Sequence, residues 1–305
     1  MHILSAEQFN RGGLEDLFEA TDTIRADYET DRFQLAQRHM GREAVMLFYE
    51  PSTRTRVSFE SGAKKIGISP TSTENAGTTS SAIKGESVED TMHMLNQYRA
   101  DLVVIRHNET GGIARAAAIA EMPVINAGDG KGEHPTQSLL DMYTIWQNHG
   151  RLDGLKVVMG GDLLQGRTVR SLAKTLALFE GNHIIFNSIA ELQMAGDVKE
   201  YLDERGTTYE EVEDMKTAFQ NADVVYWTRL QKERLPEGVQ IDQTYMVDEK
   251  AMSYLPKSAI VMHPLPRVDE ISTAVDSDPR AKYFEQAGNG MWVRMALMDQ
   301  ILSDR

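Results

Sequence analysis

The chain has 305 residues, 41% hydrophobic and 26% charged, with a net charge of −14 and no cysteine. That length predicts two domains of ordinary size, each with its own core, and the balanced composition excludes disordered and fibrous classes. The missing cysteines exclude disulfides, thiol nucleophiles and thiolate metal sites, and the acidic balance argues against nucleic acid or anionic membrane as a partner. No apolar run reaches the roughly 18 residues needed to span a bilayer, and the start MHILSAEQFNRGG lacks a signal-peptide pattern, so a cytoplasmic protein is expected.

Strand-length apolar runs alternate with helix-like stretches, which predicts an α/β chain with two doubly wound parallel-sheet domains. In the first half the strands are expected at Ala44 to Tyr49, Leu102 to Ile105 and Pro123 to Asn126. After the first strand comes Glu50-Pro51-Ser52-Thr53-Arg54-Thr55-Arg56, then a helix over Val57 to Ile66. Ser and Thr hydroxyls, an Arg fork and the free N–H groups of a helix start suit a phosphate, while simple helix capping explains the same Ser and Thr residues. Thr71 to Ile83, rich in Ser, Thr and Gly, reads as a long mobile loop ending in Lys84-Gly85-Glu86, and a helix follows through Val88, Met92 and Leu95.

Ligands of parallel α/β sheets bind beyond the carboxyl ends of the strands, so Arg106 after the second strand is a candidate. So are His134 and Gln137 at the start of the next helix, where both side chains can donate to a carbonyl oxygen. That helix carries Leu139, Tyr143 and Trp146 on one face, ends near Asn148-His149-Gly150 and marks the domain joint.

In the second half, strands are expected at Lys156 to Met159, His183 to Asn187, Val224 to Trp227 and Ile260 to Met262. Gly161-Asp162-Leu163-Leu164-Gln165-Gly166-Arg167-Thr168 mimics a P-loop, but Arg stands where that loop needs Lys, and Arg167 is better suited to grip a carboxylate. A nucleotide hydrolase reading predicts ATP binding that depends on Gly166 and Thr168. Arg229 to Arg234 follows the third of these strands and His263-Pro264-Leu265-Pro266-Arg267 the fourth; in the latter the prolines predict an extended backbone with unpaired carbonyls. A last helix is expected over Met291 to Leu302.

Taken together, FYEPSTRTRVSFE, the Lys84 loop, HPTQSLLD, GDLLQGRT, TRLQKER and HPLPRVDE resemble the carbamoyltransferase family, and within it the enzymes that use aspartate. The resemblance runs from Phe48 to the AGNG segment at Ala287 to Gly290. It implies a carbamoyl phosphate-binding domain over residues 1–133, with the terminal helix 288–305 packed back on it, and an aspartate-binding domain over 134–287.

The resemblance further implies transfer of a carbamoyl group from carbamoyl phosphate to L-aspartate in pyrimidine (UMP) synthesis, with no cofactor and no metal. Ser52, Thr53, Arg54 and Thr55 correspond to the family's phosphate-holding residues. Arg106, His134 and Gln137 correspond to those on the carbamoyl group, which Leu265 and Pro266 contact through the main chain. Arg54, Thr55, Lys84, Arg106 and His134 are thereby implied as the catalytic set. Ser80 and Lys84 resemble loop residues that enter a neighbouring subunit's site in a homotrimer, and a regulatory chain is a possible further partner.

Arg167, Arg229 and Gln231, with Lys84, resemble the residues that bind aspartate, and Glu50 with Arg234 an interdomain pair that favours closure. Ile83 departs from the second lysine some relatives carry before Lys84. An ornithine-using enzyme is the nearest alternative, but its typical HCLP is HPLP here and Arg229 would repel a cationic acceptor. A catalytically silent scaffold of the same fold is the other alternative.

Overall fold

The structure is a computed structural model that describes residues 1–130, 132–229 and 245–303. In chain order its elements are α1 Arg11–Leu35, β1 Glu43–Phe48, α2 Thr53–Lys65, β2 Ser69–Glu74, α3 Ala76–Thr79, α4 Val88–Tyr98, β3 Leu102–His107, α5 Gly112–Ile119, β4 Val124–Asp129 and α6 Pro135–His149. There follow β5 Lys156–Gly160, α7 Arg167–Leu176, β6 His183–Asn187, α8 Gly196–Glu204, β7 Thr208–Glu211, α9 Met215–Phe219, β8 Val224–Trp227, α10 Glu249–Met252, β9 Ile260–Met262 and α11 Tyr283–Ser303.

The chain divides into two compact units, one formed by Met1–Leu140 with the chain from Gly288 on, the other by Asp141–Ala287. The boundaries fall inside α6 and α11. The first unit holds a parallel sheet in the order β2-β1-β3-β4, the second a parallel sheet in the order β7-β6-β5-β8-β9. The expected α/β class with two parallel sheets is therefore what the chain forms.

In the first unit, Val45, Leu47, Val103, Ile105 and Val124 from the strands pack with Val88, Met92 and Leu95 of α4 and Ile113, Ala116 and Ala117 of α5. The i, i+4, i+7 spacing of Val88, Met92 and Leu95 gives α4 one apolar face, and Ser87 caps its start by accepting the Asp90 N–H at 3.0 Å. α11 packs against α2 at Gly62, where an added Cβ would lie 2.8 Å from Met295.

In the second unit, buried Trp227 meets Phe219 edge to face at 5.7 Å. Its ring fills the space above Gly160, where a Cβ would come within 2.0 Å of it. That close approach is why glycine ends β5.

Thr71 to Ile83 is not a loop throughout. Ser69–Glu74 pairs in parallel with β1 from Glu43↔Ser69 to Phe48↔Glu74, and short helical turns follow at Ala76–Thr79 and Ser81–Lys84. The side chains of Ser69–Glu74 are exposed or half-buried, so this strand lacks the apolar alternation that reveals one. The HPLPR run is also not extended. Leu265 takes the left-handed value φ 52 and its bond to Pro266 is cis, so the chain turns there.

Candidate active site

The order β2-β1-β3-β4 reverses direction between β1 and β3: the chain leaves β1 for one side and comes back to the other. In open α/β sheets the crevice beyond the carboxyl ends at such a reversal takes the ligand. The residues there are Glu50 and Ser52 to Thr55 after β1, and Arg106, which pairs with Phe48 in the register of β3 with β1.

Ser52 is the N-cap of α2, yet its side chain makes no capping hydrogen bond. Capping alone thus does not account for this Ser. Thr53 and Arg54 lie exposed on the first turn, while Thr55 turns inward and is 7% exposed. Its Oγ1 comes within 3.5 Å of Nε2 of His134, itself 5% exposed, just ahead of α6. Two segments almost eighty residues apart therefore present a hydroxyl and an imidazole at one point. Gln137 stands in the first turn of α6, its N–H donated to the His134 carbonyl at 2.9 Å.

Arg106 places Nη2 at 3.2 Å from Glu50 Oε2, and its Nη1 donates to the Ala127 carbonyl at 3.4 Å. Burial pushes its guanidinium below the usual range, Glu50 pulls it back up, and the neighbouring Arg54 charge adds to the lowering. It stays cationic at neutral pH. Its guanidinium lies over Gly128 (φ 129), where an added Cβ would sit 3.0 Å from Nη1.

Arg56, expected in the phosphate run, is diverted: it pairs with Glu60 at 2.6 Å and with Glu74 of β2 at 2.9 Å. The i, i+4 spacing to Glu60 was the available signal. The Ser80 hydroxyl donates to the Ala76 carbonyl and accepts the Ala82 N–H at 3.2 Å, so it stabilises its own turn. Lys84 is exposed, beside Ile83 at 63% exposure.

The second sheet reverses direction between β5 and β8. Arg167 opens α7 after β5, with Gly166 as an N-cap, and Arg229 follows β8; both are half-buried. The two strand ends are tied together, since Thr228 donates its N–H at 2.9 Å and its hydroxyl at 3.0 Å to the Gly160 carbonyl. Both arginines thus belong to the carboxyl-end rim of their sheet. Gln231 and Arg234 lie outside the described residues, and within them Glu50 pairs with Arg106.

Leu265 and Pro266 follow β9. The Leu265 N–H donates to Nδ1 of His263 at 2.7 Å, and Nε2 of His263 meets Glu270 Oε1 at 2.8 Å. His263 and Glu270 both fall within the HPLPRVDE run singled out in the sequence, which gave neither of them a role.

Known families complete the picture. Residues 1–147 match the model of the aspartate/ornithine carbamoyltransferase carbamoyl-P binding domain, and residues 153–301 match its Asp/Orn binding domain. The chain belongs to the aspartate/ornithine carbamoyltransferase family. Among its relatives, the chloroplastic aspartate carbamoyltransferase of Oryza sativa subsp. japonica is 46% identical over 314 residues, covering 99% of this chain and 85% of that protein. The catalytic subunit of M. jannaschii aspartate transcarbamoylase superposes with a TM-score of 0.92 at 37% identity, covering 100% and 98% of the two chains. Aspartate transcarbamoylase from Trypanosoma cruzi, solved with aspartate and phosphate, gives a TM-score of 0.88 at 37% identity, covering 98% and 93%.

Proposed function

We propose that this chain transfers the carbamoyl group of carbamoyl phosphate to the amino group of L-aspartate, forming N-carbamoyl-L-aspartate and phosphate for pyrimidine synthesis. The observation that carries the reading is the convergence of Thr55 and His134 beside the cationic Arg54 and Arg106, at the direction reversal of the first sheet. The Trypanosoma cruzi relative holds aspartate and phosphate, the acceptor and the leaving group of this reaction.

In this reading the first unit binds carbamoyl phosphate. Ser52, Thr53, Arg54 and Thr55 hold the phosphate, with Ser80 and Lys84 contributed by a neighbouring subunit of a homotrimer. Arg106, His134 and Gln137 hold the carbamoyl group, aided by the main chain at Leu265 and Pro266. The second unit binds aspartate, whose carboxylates pair with Arg167 and Arg229, assisted by Gln231 and Lys84. Arg106 pairs with Glu50 at 3.2 Å, so a substrate oxygen competes with that carboxylate for the guanidinium, and Glu50 and Arg234 are the pair proposed to favour closure.

The aspartate amine attacks the carbamoyl carbon and forms a tetrahedral intermediate, whose collapse breaks the carbon–oxygen bond to phosphate. Thr55, Arg106 and His134 stabilise the negative charge that builds on the carbamoyl oxygen, and Arg54 and Lys84 that on the departing phosphate. The phosphate itself has oxygens able to take the amine proton, and no side chain is assigned as base. Two anions must be held side by side, which is why cations gather on a chain with net charge −14.

The lack of cysteine fits a reducing compartment such as the cytoplasm, and among the described residues no helix is long and apolar enough to cross a membrane. The test of the acceptor is competition: with carbamoyl phosphate and equal aspartate and ornithine, carbamoyl aspartate is the expected product. Citrulline as the main product would refute the aspartate reading, and neither product would refute the enzyme.

A further inference from the structure

Behind the Leu265–Pro266 turn lies a chain of buried polar groups that the mechanism above does not use. Tyr226 of β8 donates its hydroxyl to Asp141 Oδ2 at 2.8 Å, and Asp141 Oδ1 accepts Gln286 Nε2 at 2.6 Å. Gln286 Oε1 in turn accepts the His263 N–H at 2.9 Å. His263 then bonds Leu265 through Nδ1 and Glu270 through Nε2, and Glu270 Oε2 accepts the N–H groups of Val268 and Asp269, both at 3.1 Å. Tyr226, Asp141, Gln286, His263 and Glu270 are at most 2% exposed.

The donors in this chain fix where its protons are. An amide N–H can only donate, so Nδ1 of His263 must offer a lone pair to Leu265, and the ring proton must sit on Nε2, facing Glu270. Glu270 is then a carboxylate with three donors around it, a satisfied arrangement for a buried anion. Its carboxyl is shifted to match: burial pushes it up, but the His263 hydrogen bond and backbone N–H groups outweigh that and hold it below the usual range.

What this arrangement grips is Leu265, whose φ of 52 lies where residues with a side chain are rare and need support from their surroundings. Glu270 and the Leu265 N–H together fix the tautomer of the ring, while Gln286, held in turn by Asp141 and Tyr226, anchors the His263 backbone N–H.

We propose that His263 is a positioning residue for carbamoyl transfer: its neutral ring, protonated on Nε2 by virtue of Glu270, accepts the Leu265 N–H and so aims the Leu265 and Pro266 carbonyls at the carbamoyl N–H groups. The inference rests on the functional reading given above. It separates the two halves of the donor substrate, because the turn serves the carbamoyl group while the phosphate is held elsewhere.

The experiment compares His263→Asn, whose amide oxygen falls near the Nδ1 position, with His263→Gln, whose amide falls near Nε2 and leaves Leu265 without an acceptor. The KM for carbamoyl phosphate and the inhibition constant of inorganic phosphate are measured for each. His263→Gln should raise the carbamoyl phosphate KM by about fivefold to tenfold, the worth of a misplaced hydrogen-bond acceptor, with the phosphate constant unchanged. His263→Asn should stay nearer the parent. A merely structural role would move both constants together, and that result, or no change in His263→Gln, overturns the proposal.

In the unsubstituted protein, the ¹⁵N resonances of His263 give a reading that does not depend on the variants folding. A bare Nδ1 and a protonated Nε2 are expected, and a proton on Nδ1 overturns the assignment. An unsubstituted protein that forms no carbamoyl aspartate sinks the functional reading instead, whereas an active one with an unaffected His263→Gln sinks only this inference.

Discussion

Removing Thr55 and His134 singly and together tests whether they act on one oxygen. A buried donor aimed at a developing oxyanion is worth about 2.7–4 kcal/mol, or about 10²–10³ in kcat. Thr55 and His134 are 7% and 5% exposed and their polar atoms are 3.5 Å apart, so water cannot readily replace either donor. Thr55→Ala and His134→Ala should each lower kcat toward that range with a smaller change in KM. Side chains in contact couple by about 0.5–3 kcal/mol, so the double variant should fall short of the product of the single losses by about tenfold. Steady-state kinetics on all four proteins, with circular dichroism as the control for folding, gives the cycle. Folded single variants with nearly parental kcat, or losses that multiply without coupling, would refute a shared oxygen.

Gly128→Ala should raise the carbamoyl phosphate KM, because a Cβ 3.0 Å from Arg106 Nη1 and a φ of 129 both force the guanidinium or its loop to move; an unchanged KM would show that Arg106 does not need this seat. Asp276 is held below the usual carboxylate range chiefly by the hydrogen bond from Arg267, while burial and the Asp276 contact push Tyr283 up to about 12. A depressed carboxyl stabilises the fold above its unfolded pKa and loses that effect as pH falls through the folded one. Asp276→Asn should therefore be less stable than the parent near neutrality, with the gap in urea midpoint closing as pH drops below about 4. Mixing inactive Lys84→Ala and Arg54→Ala chains should restore part of the activity if subunits share sites; reassembled trimers that stay inactive would refute the sharing.

The buried strands were legible because they are continuous apolar runs: β6, β8 and the edge strand β9 end where the pattern ends. β4 runs to Asp129, three residues beyond its expected end, because Asn126 and Gly128 resemble turn residues though they are buried in the sheet. The edge strands β2 and β7, SPTSTE and TYEE, were invisible, since neither buries an apolar face. α1 was passed over although Leu14, Leu17, Phe18, Thr21 and Ile24 lie buried at helical spacing, because charged residues between them dilute the signal.

The cationic residues were legible for a topological reason: a parallel sheet puts its strands' carboxyl ends on one side, so Arg106 in the first sheet and Arg167 and Arg229 in the second could each be placed without knowing strand order. Pairings were harder. Arg56 went to Glu74, which needs β2 to be known, and the partner of Glu50 among the described residues is Arg106, a contact made only when β1 and β3 are neighbours. The backbone of Leu265 was misjudged because the prolines suggest an extended run, whereas Leu265 has φ 52 and its N–H is taken up by Nδ1 of His263.

The central claim is carbamoyl transfer to aspartate, and its most direct measurement follows carbon-labelled carbamoyl phosphate with aspartate and purified protein, counting product and phosphate together. Labelled carbamoyl aspartate and phosphate should form in equal amounts, and the rates of both should fall together, by about 10²-fold or more, in Arg54→Ala and His134→Ala. Phosphate release without labelled carbamoyl aspartate, or formation unaffected by those changes, would contradict the account.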